Sequence, residues 1–171
     1  EVMEYGQERG VDFYFRINHI HVFAEQGKYG ITDEIDNPIT KDYYLKSATA
    51  LLETYPLLKG LDINDGENMG WDNSEEGEKV RLQWLHDVYV PAINAALEEN
   101  PDRKLSLKGP LCKYGDDTYT KDLDERCELV YDAPFASTHM YATSTPQEKG
   151  YLDDATIDNV VIAFRNEDSF D

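Results

Sequence analysis

The regular alternation of helical and strand patterns is what most constrains the fold of this chain. Over residues 41–55, Tyr44, Leu45, Ala48, Leu51, Leu52 and Tyr55 recur at helical spacing, and over 74–99 Val80, Trp84, Leu85, Val88, Ala92, Ala95 and Ala96 do the same. Short strand-like runs lie around them at 11–23, 60–64, 104–108, 134–141 and 159–164. In the first run Phe13, Phe15 and Ile17 alternate with Tyr14, Arg16 and Asn18, a period of two. The last is continuously apolar, the mark of a strand buried on both faces. A short helix before Gly10 and another at 122–130 complete the expected order α-β-α-β-α-β-α-β-(α)-β. Such alternation implies parallel strands joined by helical crossovers.

Local signals place the boundaries. Thr40 is the expected N-cap of the first long helix, and Pro56 ends it by pushing its predecessor out of helical geometry. Ser74 is the expected cap of the second, with Glu75 and Glu76 complementing the helix dipole. Pro91 is expected to kink or split that helix.

An open five-stranded sheet and a segment of an eight-stranded barrel both satisfy this order. The polar residues at strand ends favour the barrel. Asn18, Glu67, His139 and Glu167 follow four different strands, as around a barrel mouth, whereas a doubly wound sheet concentrates its site at one switch point. A whole barrel takes about 250 residues, and the chain has 171. The expected class is therefore α/β, a partial (β/α)8 TIM-type barrel with about five parallel strands, residues 1–171 forming one partial domain and the chain being a fragment.

The formal net charge is −19. Phosphate-backbone binding needs clustered Lys and Arg, so nucleic acid is excluded as the expected partner, and an anionic membrane surface is disfavoured on the same ground. No apolar run approaches the roughly 20 residues that span a bilayer. Cys112 and Cys127, the two cysteines, are compatible with one bridge or with two thiols.

Glu67 is the leading candidate for chemistry. It follows Gly66, where the backbone can turn sharply, and is flanked by Asn64, Asp65 and Asn68. A second acid and amide donors nearby can raise a carboxyl into the general-acid range. Glu167 and Asp168 follow the last strand behind Arg165 and Asn166, and Arg165 can hold one carboxylate ionised. Two carboxyls flanking a bond are what glycoside hydrolysis uses, about 5 to 5.5 Å apart for retention and roughly 6.5 to 9.5 Å for inversion. Trp71 lies just after Glu67, and Tyr29, Tyr114, Tyr141 and Tyr151 sit in the same set of loops. Aromatic faces of this kind pack on the C–H surfaces of sugars. Asn18, His19, His21, Asn64, Trp71, His139, Tyr141, Arg165 and Asn166 are thus the expected substrate contacts. No metal or cofactor is expected.

His19-Ile20-His21 supports a competing reading. An HxH at a strand end resembles the first metal motif of amidohydrolase barrels, where two imidazoles begin a metal site. That pattern also needs a bridging Lys and two further strand-end His. His139 is well placed for this, but His86 is in mid-helix and no Lys follows Asn64. Dinucleotide, P-loop, serine-hydrolase and HExxH signatures are missing from the sequence.

Four stretches carry a family resemblance: Tyr29-Gly30-Ile31-Thr32 through Asn37-Pro38, Tyr55-Pro56-Leu57-Leu58-Lys59-Gly60, Gly66-Glu67-Asn68-Met69 and Arg165-Asn166-Glu167-Asp168. In these the chain resembles the centre of a (β/α)8 glycoside hydrolase, or of glycoside-hydrolase-like proteins of bacterial polysaccharide degradation. In the largest clan of such enzymes the acid/base ends strand four and the nucleophile strand seven, and Glu67 and Glu167 are likewise three strands apart. Gly66 departs from that clan, which usually has Asn directly before the acid. The resemblance implies an enzyme acting on a polysaccharide or oligosaccharide, with Glu67 as acid/base and Glu167 or Asp168 as the second carboxylate. It also implies an extracellular or periplasmic location, and self-association through the edges that missing barrel strands leave open. A non-catalytic glycan-binding barrel is the nearest alternative.

Overall fold

The computed structural model describes residues 1–64, 69, 74–110, 121–132 and 160–163. Helix α1 (Val2–Gln7) leads through Gly10, in the left-handed region at φ +71°, into strand β1 (Tyr14–Asn18). Helix α2 (Pro38–Thr54), strand β2 (Gly60–Asn64), helix α3 (Glu75–Glu99) and strands β3 (Leu105–Pro110), β4 (Cys127–Asp132) and β5 (Val160–Ala163) follow.

The five strands form one sheet in the order β1-β2-β3-β4-β5, and every neighbouring pair is parallel. Each strand adds beside the one before it, always on the same side. A doubly wound sheet reverses direction part-way; this one does not. With right-handed crossovers, successive steps of this kind place the connecting helices on one face. Accordingly α2 and α3 pack against each other. The class defined by this topology is an α/β fold of the barrel type, five neighbouring strands forming part of the (β/α)8 arrangement.

The core lies between sheet and helices. Leu61, Ile63, Leu105, Leu107, Cys127 and Leu129 from the strands meet Tyr44, Ala48 and Leu52 of α2 and Trp84, Leu85, Val88, Ala92, Ile93, Ala96 and Leu97 of α3. Gly60 is required where β2 runs against β3: a Cβ there would lie 1.8 Å from the Ser106 carbonyl oxygen.

Several boundaries differ from the sequence expectation. β1 is shorter than residues 11–23. Asn37, not Thr40, caps α2, its side chain accepting from the Ile39 and Thr40 amides, and Pro38 takes the first turn, where a missing N–H costs nothing. Thr40 is instead buried and ties down the preceding loop, its hydroxyl accepting from the Thr32 amide (3.0 Å) and donating to the Thr32 carbonyl (2.6 Å). Ser74 caps α3 as expected, accepting from Gly77 N at 3.1 Å. Pro91 does not split α3, which runs through it as one 25-residue helix. Val80, expected in the core, is exposed.

The expected helix at 122–130 is the largest correction. Residues 127–132 form β4, because Cys127 and Leu129 enter the core and alternate with Glu128 and Val130, a period of two that outweighs local helix propensity. β4 pairs directly with β5, so it is the fourth strand of the sheet. The run at 134–141 lies outside the described residues.

Candidate functional site

In a parallel barrel-type sheet, strand ends and the loops after them converge at the carboxyl edge. Here that edge carries Asn18, Asn64, Pro110, Asp132 and Ala163, the last residues of β1 to β5. Asn18 and Asn64 are register partners and so stand side by side. Glu67 follows Asn64 by three residues, and Glu167 and Asp168 follow Ala163 by four and five. Glu67, Trp71, His139, Tyr141, Arg165, Asn166, Glu167 and Asp168 lie outside the described residues, as do Tyr114, Tyr151 and Cys112.

His19 corrects the sequence reading. The strand stops at Asn18, so His19 and His21 do not share a strand face, and His19 turns into the core at 0% exposure. Its ring packs against Tyr44, Trp84 and Tyr89 at centroid separations of 5.1, 4.8 and 5.3 Å. Its Nε2 lies 2.5 Å from the Tyr89 hydroxyl. Burial, helped by the nearby His21, lowers its pKa from 6.5 to about 3, so the imidazole is neutral across the physiological range. Burial also raises the Tyr89 phenol well above 10 and keeps it protonated. His19 therefore anchors the end of β1 to α3 instead of holding a sugar. Tyr89 and Trp84 carried this signal as large residues on the core face of α3.

His21 remains at the mouth. Its backbone is clamped by Tyr44, whose hydroxyl accepts from the His21 amide and donates to the His21 carbonyl, both at 3.1 Å. Its ring stacks on Phe23 at 4.9 Å and 12°. Among the described residues no three His, Cys, Asp or Glu side chains are grouped to hold a metal ion. His86 stays on α3, with Nδ1 3.5 Å from Asp87 and Nε2 3.8 Å from Asp122. Cys127 is a free, buried thiol, which burial pushes up to about 12, far from a reactive thiolate.

The sheet face opposite the helices carries a charged row that the sequence reading passed over. Arg16, Asp62 and Lys108 are register neighbours on β1, β2 and β3. Asp62 Oδ2 lies 3.5 Å from Arg16 Nη1 and 4.0 Å from Lys108 Nζ. Lys108 Nζ also sits 5.0 Å over the Tyr14 ring, and one row away Ser106 donates to Glu128 at 3.3 Å. This face would line the inside of a closed barrel. The signal was present in sequence: Arg16, Asp62, Lys108 and Glu128 each occupy the polar phase of a two-residue period. The segment after β1 also presents aromatic rings to solvent. Tyr29 is 90% exposed and Phe23 81%.

Comparisons with protein-family models, with curated proteins and with solved structures find no match to the chain. The class therefore rests on topology: an α/β, barrel-type sheet whose carboxyl edge gathers polar residues, a framework compatible with a glycoside-hydrolase-type enzyme.

Proposed function

We infer that the protein is a glycoside-hydrolase-like barrel acting on a polysaccharide or oligosaccharide. In this reading Glu67 protonates the leaving oxygen, and Glu167 or Asp168 supplies the second carboxylate. One observation carries it: β2 and β5, the strands that precede these acids, are three places apart in a single parallel sheet wound in one direction. In a parallel sheet wound this way the carboxyl ends of β2 and β5 lie on the same edge. Asn18 and Asn64, register partners at the carboxyl ends of β1 and β2, are of a residue type suited to sugar hydroxyls.

The chemistry then follows from the two roles. A protonated Glu67 donates to the glycosidic oxygen as the bond to the anomeric carbon lengthens. The second group, ionised, either attacks that carbon or draws a proton from water, depending on their separation. In this reading Arg165 is the cation assigned to favour the ionised form of the second group.

The test is Glu67→Gln, Glu167→Gln and Asp168→Asn in the full-length protein, assayed on neutral polysaccharides and on glycosides with activated leaving groups. Loss of the acid should lower kcat about 100-fold or more on the polysaccharide. It should cost far less with a leaving group that needs no proton. Loss of the second carboxylate should abolish both reactions. Full activity of Glu67→Gln on the polysaccharide would refute the assignment.

A further inference from the structure

We propose that the cleft just beyond β1 is a subsite for one neutral sugar ring, formed by Phe23 as platform and by Gln26 and Asp33 as hydroxyl acceptors. The cavity measures about 260 Å³ and is lined by Ile20, His21, Val22, Phe23, Gln26 and Asp33. Pockets for drug-sized ligands run roughly 300 to 1,000 Å³, so this one suits a single ring of a longer chain. The choice of a sugar as ligand rests on the proposed function; the cleft itself does not.

Its parts have the chemistry that a pyranose needs. Phe23 is 81% exposed, yet its ring is held parallel to His21 by stacking. The His21 backbone is in turn fixed by the Tyr44 hydroxyl on both its amide and its carbonyl. An aromatic ring fixed from behind and open in front offers a flat apolar face at little entropic cost. In the same lining, Gln26 Nε2 donates to Asp33 Oδ1 at 3.2 Å. That bond orients both groups and leaves Gln26 Oε1 and Asp33 Oδ2 as acceptors for hydroxyl protons.

The loop carrying these acceptors is pinned rather than free. Gly27 and Gly30, at φ +76° and +83°, let it double back, and the Gly27 amide donates to the Ile31 carbonyl at 2.7 Å. Asn37 Nδ2 donates to the Gly30 carbonyl (2.9 Å) and to the Thr32 hydroxyl (2.7 Å), and Thr40 holds Thr32 from below. The cleft is thus preorganised between the end of β1 and the start of α2, on the edge where the site lies. Charge selects the ligand further. Asp33 has no cationic partner among the described residues, and the chain carries −19, so a uronate or a phosphorylated sugar is repelled.

The experiment is calorimetric titration of the whole chain with neutral gluco-, galacto-, manno- and xylo-oligosaccharides, with glucuronate, and with tetramethylammonium as a cation control. Phe23→Ala, Asp33→Ala and Lys46→Ala are measured beside the parent. The expected result is binding of at least one neutral oligosaccharide, weakened about tenfold or more by Phe23→Ala and by Asp33→Ala. Lys46→Ala, on the exposed face of α2 and outside the cleft lining, should leave it within about twofold. Neutral-sugar binding unchanged in both cleft variants overturns the subsite, as does an absence of sugar binding or tighter binding of glucuronate or tetramethylammonium. Sugar binding that depends on Phe23 and Asp33 in a protein without hydrolytic activity upholds the subsite and removes only the catalytic reading. Circular dichroism of the exposed-site variants confirms that the fold is intact.

Discussion

Acidification should unfold this protein partly through one buried ring, His19. In the folded state its imidazole is neutral down to about pH 3, because charging it among Tyr44, Trp84 and Tyr89 would strip the ion of water. In the unfolded chain it takes up a proton at the ordinary value of 6.5. Between these values the unfolded state binds more protons than the folded one, so stability rises with pH across the window and falls on acidification. Integrating over that difference gives a loss of about 2 kcal/mol between pH 7.5 and pH 5, and about 4 kcal/mol by pH 3. At about pH 5 nearly all of the effect belongs to the unfolded state, since the folded ring is still far from titrating. The assay is urea unfolding at pH 7.5 and 5 for the parent and for His19→Gln, which keeps a hydrogen-bonding group toward Tyr89 but cannot ionise. His19→Gln should be the less stable protein at pH 7.5, with a pH dependence shallower by about 2 kcal/mol over the same range. All other ionisable groups are common to both proteins, so the difference between their pH dependences reports His19 and its coupling to its neighbours. Equal pH dependence in the two, or an NMR titration of the His19 ring near 6.5, would refute the reasoning.

Three further outcomes are expected. Gly60→Ala should destabilise by about 3 kcal/mol or more, since its Cβ meets the backbone oxygen of Ser106 at 1.8 Å and the β2–β3 pairing must open; thermal unfolding measures it. Asp62→Ala should cost about 1–2 kcal/mol at low salt and less at high salt, because it leaves Arg16 and Lys108 facing each other while both still reach solvent. Pro91→Ala should raise stability by about 1–3 kcal/mol in denaturant titration, since Pro91 sits exposed in the interior of α3, where it cannot donate to the turn before it.

The patterns of period 3.6 and period 2 were enough to place α2, β2 and α3, and Ser74 marked its helix start correctly. These are long or sharply bounded segments in which local preference and burial agree. β4 was illegible for the opposite reason. Residues 122–130 mix charged and apolar types that satisfy a helix equally well, and only the edge offered by β3 makes the strand the better choice. The cap of α2 was misplaced by three residues because Asn37, Pro38 and Thr40 all carry N-terminal signals; the loop bonded to Thr32 decides that Thr40 serves the loop and Asn37 the helix.

For the site, sequence alone determined the inventory: the acids, amides, histidines and aromatics that follow successive strands. Tertiary structure decided which way the described ones face. His19 and His21 are two residues apart and chemically identical, yet one is locked in the core against Tyr89 and the other stacks at the mouth on Phe23. That choice depends on the end of β1 at Asn18 and on the aromatic wall supplied by α2 and α3, contacts distant in sequence that no local pattern encodes. The order of the sheet is of the same kind. Alternation alone permits strands to be wound in one direction or two, and the packing of α2 against α3 goes with the single direction that makes a barrel-type edge.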